Sequence, residues 1–169
     1  MKTPGLCLLM TAFASGLPAV AQDMAAPLTA EIASADGAAL GTVTARPTES
    51  GMMSVTIALV GAPPGVHAVH IHETGLCEPP DFASAGGHLA NGADHGVMSP
   101  AGPHPGDMPN LVIPEGGALT VEYFVPNLTT GLMMDEDGAA FIIHAGADDY
   151  VSQPSGEAGG RIGCGVFAP

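Results

Sequence analysis

Seven histidines dominate the chemistry available to this chain. They lie at positions 67, 70, 72, 88, 95, 104 and 144. Imidazole nitrogen is a good ligand for both copper and zinc. Only Lys2, Arg46 and Arg161 are basic, so this enrichment in histidine is not part of a generally basic composition. The sequence therefore predicts a metal centre.

The first three histidines fall in a predicted strand, residues 66–72. Successive side chains of a strand point to opposite faces, so His70 and His72 share one face while His67 points to the other. His70 and His72 can therefore converge on one ion. Taken alone the pair is weak evidence, because exposed histidines on strands are common.

A loop from residue 73 to residue 114 strengthens the metal hypothesis. It is rich in Gly, Pro, Asn and Asp, has no hydrophobic period, and is too long for an idle connection in a compact domain. It carries three imidazoles and a carboxylate, a donor set that zinc binds tetrahedrally: His88, His95, His104 and Asp107. We therefore expect this loop to be functional.

The elements that position these residues are predicted to be strands. Polar and apolar residues alternate in six further segments, 28–32, 40–45, 54–59, 119–125, 139–144 and 161–167. A second long loop, 145–160, follows His144, and no stretch has a convincing helical period. The pattern predicts one all-β domain, a Greek-key barrel or sandwich of about eight antiparallel strands with two long functional loops.

Charge excludes one class of partner. The chain has 169 residues, and its 17 acidic and 3 basic side chains give a formal net charge of −14. Such a field repels polyanions, so nucleic-acid binding is not expected. Residues 145–160 contain no Lys, so we expect little long-range attraction of an anionic substrate.

The first 21 residues are typical of a signal peptide. Lys2 precedes an apolar run, and Ala19-Val20-Ala21 has the small residues that a signal peptidase accepts. The run is shorter than a membrane-spanning helix, which disfavours an anchor and stable membrane insertion. We predict a mature domain of residues 22–169 that is periplasmic or secreted. Of the cysteines, Cys77 and Cys164 would remain, and an oxidising compartment favours a disulfide between them.

Across nearly the whole mature region the chain resembles the copper-zinc superoxide dismutases, in particular the exported bacterial type. Residues 66–73 resemble the copper strand of that family, 84–88 the segment with the bridging histidine, and 102–111 the zinc loop. Residues 143–150 resemble the segment with the last copper ligand, and 160–166 the active-site arginine beside the second cysteine.

This resemblance implies a ligand set for each metal. Copper would be bound by His70, His72, His88 and His144. Zinc would be bound by His88, His95, His104 and Asp107, so that His88 bridges the two ions as an imidazolate. Asp148 would link His70 to His95, and His67 would be a structural imidazole bonded to backbone.

The implied activity is superoxide dismutation, in which copper cycles by one electron while zinc holds geometry and charge. Superoxide would be the small-molecule substrate, with Arg161 holding the anion and His88 supplying a proton. Exported relatives include monomers and dimers, so a homodimer is one predicted assembly. The alternative is a non-catalytic periplasmic copper-binding or copper-donor protein. The pairs Met52-Met53 and Met133-Met134 favour it, because thioethers bind Cu(I).

Overall fold

The computed structural model describes Met1 and residues 26–168 of the chain. Apart from Met1, the predicted signal peptide lies outside the described residues. Within these residues there are two short helical elements, a 3-10 turn at Ala83–Ala85 and helix α1 at Thr130–Met133. Among the described residues, no helix has the length and apolarity that a membrane crossing requires. The strands are β1 Leu28–Ala33, β2 Ala39–Pro47, β3 Met53–Leu59, β4 Gly65–His67, β5 Val69–His72, β6 Leu111–Ile113, β7 Leu119–Val125, β8 Ala140–His144 and β9 Arg161–Val166.

Seven of these strands form one curled antiparallel sheet, a half-barrel. Their order is β5-β8-β9-β1-β2-β3-β7, so β1 has both its sequence neighbour β2 and the distant β9 beside it. A small second sheet pairs β4 with β6. This confirms the predicted all-β Greek-key architecture.

The strand count differs from the prediction because residues 66–72 divide at Ala68. The main-chain N–H of Ala68 donates to Gly146 O and its carbonyl accepts from His144 N, at 2.8 and 2.9 Å. These bonds end the pairing of β4 with β6 before β5 begins to pair with β8. Strand β6 lies in the stretch 73–114, which was expected to be a loop. Its three residues are all apolar, and so short a run carries no alternating pattern.

The core lies inside the sheet, and β5 and β8 are buried on both faces. Val69 and Ile71 of β5 and Phe141 and Ile143 of β8 face the main hydrophobic core. Fully burying side chains of this size contributes about 1.5–3 kcal/mol each. The opposite face of β5 carries the histidines, and the long loops cover it. The rigid sheet thus supports a site on its outer side.

A disulfide fixes one of these loops. Cys77 and Cys164 are bonded, with their Cα atoms 5.7 Å apart, which confirms the predicted pair. Beside the bond, Phe82 and Ala85 pack on Ile142 of β8. The segment 77–86 is therefore attached to the outer face of the sheet by a covalent bond and by apolar contacts.

Replacing Cys77 with Ser should lower the melting temperature. The bond joins positions 87 residues apart. On the chain-entropy model a cross-link of this span is worth about 4 kcal/mol. Cys77 is only half-buried, so serine leaves little unfilled space there. The melting temperature of the variant, measured by calorimetry, should match that of the unsubstituted protein after reduction. A melting temperature equal to that of the oxidised protein would contradict the prediction.

Candidate metal centre

Strands β5 and β8 place three histidines on the outer face of the sheet. His70 pairs with Ile142 and His72 with Ala140, so both imidazoles lie opposite the core. His144 lies two residues after Ile142 on β8, so the alternation of the strand places it on the same side. The predicted alternation along this strand is therefore confirmed for His70 and His72.

His67 lies apart from this group, on β4. Its Nδ1 is 2.9 Å from the carbonyl of His144, and its Nε2 is 3.5 Å from the carbonyl of Pro64. The ring is buried and bonded to backbone. This confirms the structural role expected for His67.

The long loop 73–110 reaches the site by lying along β5. Leu89 N donates to Ile71 O at 2.8 Å, and Ile71 N donates to Gly106 O at 2.9 Å. A Cβ at position 106 would lie 2.4 Å from Ile71 O, so only glycine permits this approach. The contact places His88 and Asp107 directly beside the two histidines of β5.

The first cluster consists of four buried imidazoles whose nitrogens lie within 4.8 Å of one another: His70, His72, His88 and His144. Nε2 of His72 and Nε2 of His144 are 3.4 Å apart. Among the described residues, His70 Nδ1 and His88 Nε2 are buried without a hydrogen-bond partner. Buried polar atoms are rarely left unsatisfied, so this donor set fits a cation with a preference for nitrogen.

The opposite nitrogens of this cluster are held by the protein. Nε2 of His70 is 2.8 Å from Asp148 Oδ2. Nδ1 of His72 is 3.1 Å from Gly86 O, and Nδ1 of His144 is 3.4 Å from Gly159 O. Such contacts fix the tautomer and the orientation of each ring, which leaves the inward nitrogen free to bind metal.

The second cluster surrounds one oxygen of Asp107. Its Oδ1 is 3.2 Å from His88 Nδ1, 3.1 Å from His95 Nδ1 and 3.2 Å from His104 Nδ1. Ligand atoms about 2.0–2.1 Å from a tetrahedral zinc ion are about 3.3 Å from one another. The spacing around Asp107 therefore fits zinc. The other oxygen, Oδ2, accepts from the main-chain N–H groups of Gly96 and His104.

Asp148 connects the two clusters. Its Oδ2 contacts His70, and its Oδ1 is 2.9 Å from His95 Nε2. A Cβ at Gly156 would lie 1.9 Å from this Oδ1, so the approach of the loop requires glycine. The neighbouring Asp149 instead accepts from Val151 N and from Ser152 at the surface. The link between His70 and His95 lies where the resemblance implied it.

Burial favours the neutral form of three imidazoles in the first cluster, those of His70, His72 and His144. It lowers the pKa of His70 to about 4, that of His72 to about 2 and that of His144 to about 3, each from an ordinary value of 6.5. Metals bind unprotonated imidazole. These rings are therefore ready for a metal at neutral pH without first losing a proton.

In the second cluster, contacts between histidines and aspartates outweigh the effect of burial on the pKa values. Burial by itself lowers the pKa of His95, but the hydrogen bonds with Asp107 and Asp148 outweigh it and raise this pKa to about 9. Burial by itself raises the pKa values of the two aspartates, but their histidine partners hold both well below the ordinary 3.8. Both carboxylates are therefore ionised, and Asp107 is ready to bind a divalent cation, whereas His95 must first lose a proton.

Arg161 supplies the positive charge beside the first cluster. Its Nη1 donates to Phe82 O and its Nη2 to Gly86 O, both at 2.6 Å. Burial lowers the pKa of the guanidinium, but arginine stays charged in proteins. A cleft of about 170 Å³ opens here, lined by His72, Gly87, His88, His144, Pro154, Ser155, Gly159 and Arg161. Its size and charge suit a small anion.

Comparison with known proteins agrees with this geometry. The sequence model of the family described as copper/zinc superoxide dismutase (SODC) matches residues 39–167, well over half of the chain. The chain belongs to the copper/zinc superoxide dismutase family. The resemblance seen in the sequence is thereby confirmed, together with copper and zinc as the cofactors.

Relatives of the family extend over most of the chain. "Superoxide dismutase [Cu-Zn] 2" of Aquifex aeolicus is 41% identical over 145 residues, which cover 82% of this chain and 84% of the relative. "Superoxide dismutase [Cu-Zn]" of Escherichia coli K12 is 33% identical, over 99% of each chain. The crystal structure of a SOD-like protein from Bacillus subtilis is 37% identical with a TM-score of 0.77, covering 83% of this chain and 97% of that one.

Some contributors to the dismutase site were not foreseen from the sequence. The carbonyls of Gly86 and Gly159 orient His72 and His144, and Gly86 also binds Arg161. Main-chain groups leave no trace in residue type, so composition and spacing could not reveal them. The one available signal was the density of glycine in residues 86–88, which include His88, and in residues 156–160.

Proposed function

We propose that this superoxide dismutase binds copper through His70, His72, His88 and His144, and zinc through His88, His95, His104 and Asp107. The proposal depends on the positions of the two ring nitrogens of His88. Nδ1 lies 3.2 Å from the zinc-ligand candidate Asp107, and Nε2 is buried among the copper ligands without another partner. One imidazole thus faces both metal positions.

His104 completes the zinc set in preference to His70. His70 also has a nitrogen within 4.8 Å of donor atoms of His88, His95 and Asp107. However, its Nε2 is already bonded to Asp148, and its Nδ1 is free for the copper cluster. Nδ1 of His104 is 3.2 Å from Asp107 Oδ1, at the distance expected for two ligands of one zinc ion.

In the proposed mechanism Arg161 holds the substrate. Copper, when bound, supplies the one-electron exchange that converts two superoxide anions and two protons into dioxygen and hydrogen peroxide, while zinc stays redox-inert. The guanidinium presents several donors in a fixed plane, and the carbonyls of Phe82 and Gly86 hold that plane beside the cleft. A small anion is thereby oriented next to His88.

His88 is the proposed proton donor in the same cleft. Its Nε2 lies on the copper side and its Nδ1 on the zinc side, so a proton can reside on Nε2 while Nδ1 keeps its contact. We propose that this nitrogen delivers one of the two protons that the peroxide product requires, and that solvent at the cleft supplies the other. General acid catalysis by a positioned imidazole commonly contributes about 10²–10⁴-fold.

The copper-donor alternative is less well supported. A donor needs neither an arginine beside the metal nor a histidine between two metals. Of the methionine pairs, Met53 and Met133 are buried in the hydrophobic core, and only Met52 and Met134 are partly exposed. Half of these thioethers are therefore packing residues.

Replacement of either His88 or Arg161 with Ala should greatly reduce superoxide removal. Loss of the charged contacts of Arg161 should lower kcat/KM about 10–100-fold, since a charge-assisted hydrogen bond is worth about 1.5–3 kcal/mol. The matched control is Arg46→Ala, which removes the same charge from the exposed side of β2. Metal content is counted in every variant, and full activity of either site variant would contradict the assigned roles.

Electrostatic attraction of substrate should be local. The formal net charge is −14, and Arg46 and Arg161 are the Lys and Arg residues of the described part of the chain. We expect kcat/KM to change less than about twofold between low and physiological salt, because steering needs an extended positive field. Glu157→Lys, in the loop beside the cleft, should raise both the rate and its salt dependence. A steep fall with salt in the unsubstituted enzyme would contradict this expectation.

We also propose that the enzyme is exported to the periplasm after cleavage behind Ala21. The Cys77–Cys164 disulfide supports an oxidising compartment. The match to the Escherichia coli relative runs over 99% of both chains, so it includes the N-terminal segment. N-terminal sequencing of the protein from a periplasmic extract should begin at Gln22. Recovery only from the cytoplasm, with residues 2–21 still attached, would contradict the proposal.

A further inference from the structure

We propose that Gln153 is a positioning residue for the zinc site, because its side-chain amide holds the main chain of His95. The proposal rests on the zinc ligands assigned above. Gln153 belongs to the second loop, 145–160, and His95 to the first, 73–110. The two residues are 58 positions apart in sequence.

The contact is a closed pair of hydrogen bonds. His95 N donates to Gln153 Oε1 at 2.9 Å, and Gln153 Nε2 donates to His95 O at 2.8 Å. Because a main-chain N–H only donates and a carbonyl only accepts, this pairing also fixes which end of the amide is which. Nε2 is 3.1 Å from both Ser99 Oγ and Val151 O, which hold the amide in place.

The main chain of His95 depends on this amide. His95 is fully buried in a loop without regular secondary structure. Among the described residues, its N–H donates to Gln153 alone, while its carbonyl also accepts from Ser99 Oγ. A buried N–H without an acceptor is costly, so loss of Gln153 favours a shifted backbone. Such a shift would move the imidazole away from Asp107 and Asp148.

A second side-chain amide makes the same kind of contact from the first loop to the second. Asn110, at the end of the first loop, accepts from Asp148 N at 2.8 Å and donates to Asp148 O at 2.9 Å. Each loop thus uses one side-chain amide to hold a metal-site residue of the other loop. Asp148 touches ligands of both metals, so a change at Asn110 would disturb both sites. Of the proposed ligands and Asp148, Gln153 is bonded to His95 alone, so the effect of its loss should fall on zinc rather than on copper.

The test compares three variants of the full mature protein. Gln153→Met keeps the length of the side chain and removes both hydrogen bonds. Gln153→Glu keeps the acceptor for His95 N but loses the donor. Ser152→Ala is the matched control, because Ser152 is bonded to the surface residue Asp149 and not to the zinc loop. Gln153 is exposed, so neither replacement opens a cavity in the core.

Zinc affinity is the main readout, measured by chelator competition on copper-loaded protein. Gln153→Met should raise the zinc dissociation constant about tenfold or more, the size of effect found when the support of a metal ligand is lost. Gln153→Glu should lie between this variant and Ser152→Ala, which should match the unsubstituted protein. Copper affinity should stay within about twofold. Cobalt(II) placed at the zinc position should show an altered visible spectrum in Gln153→Met.

Two further results separate the possible failures. If His95→Ala abolishes zinc binding while Gln153→Met leaves the zinc dissociation constant within about twofold, the positioning role of Gln153 is wrong and the ligand set stands. If His95→Ala binds zinc normally, the ligand set itself is wrong. A parallel loss of zinc affinity, copper affinity and metal-free melting temperature in Gln153→Met would also overturn the proposal, because it would indicate general loosening of the loops.

Discussion

The arrangement of the site depends on the imidazole of His88. The ring is buried, and each of its nitrogens needs a partner in a region that water does not reach freely. Nδ1 lies beside Asp107, and Nε2 has no hydrogen-bond partner among the described residues, so the ring faces both of the proposed metal positions. The ring occupies this position because the loop lies along β5, with isolated bridges from His88 to His72 and from Asp107 to His70. The close contact of Gly106 with Ile71 makes that path sterically possible.

Around this ring, strands β5 and β8 form a rigid support for the histidines of the site. Strands β5 and β8 are buried on both faces, with aliphatic and aromatic side chains inward and imidazoles outward. The disulfide attaches the segment 77–86, whose carbonyls hold Arg161 and His72. His95 lies in the loop without a strand beside it. Asp148 holds its imidazole and the side-chain amide of Gln153 holds its main chain, so its position depends on contacts between the two loops.

The two clusters of the site also differ in the charge of their side chains. Burial favours the neutral form of His70, His72 and His144, and histidine contacts keep Asp107 and Asp148 ionised. The single guanidinium of Arg161 then provides local attraction for an anion in a chain of net charge −14. A fixed charge next to the cleft orients a small ion even where the distant field repels it. Orientation and long-range steering are thus separate properties here.

The sequence by itself determined the all-strand class, the shared face of His70 and His72, the donor set of the long loop and the cysteine pair. These follow from local rules, since alternation in a strand and the chemistry of a side chain need no knowledge of distant residues. Only the tertiary structure decided the break at Ala68, the short strand β6 and the contact of Gln153 with His95. Each of these joins segments far apart in the chain or uses main-chain atoms, and neither kind of contact leaves a periodic trace in the order of residues.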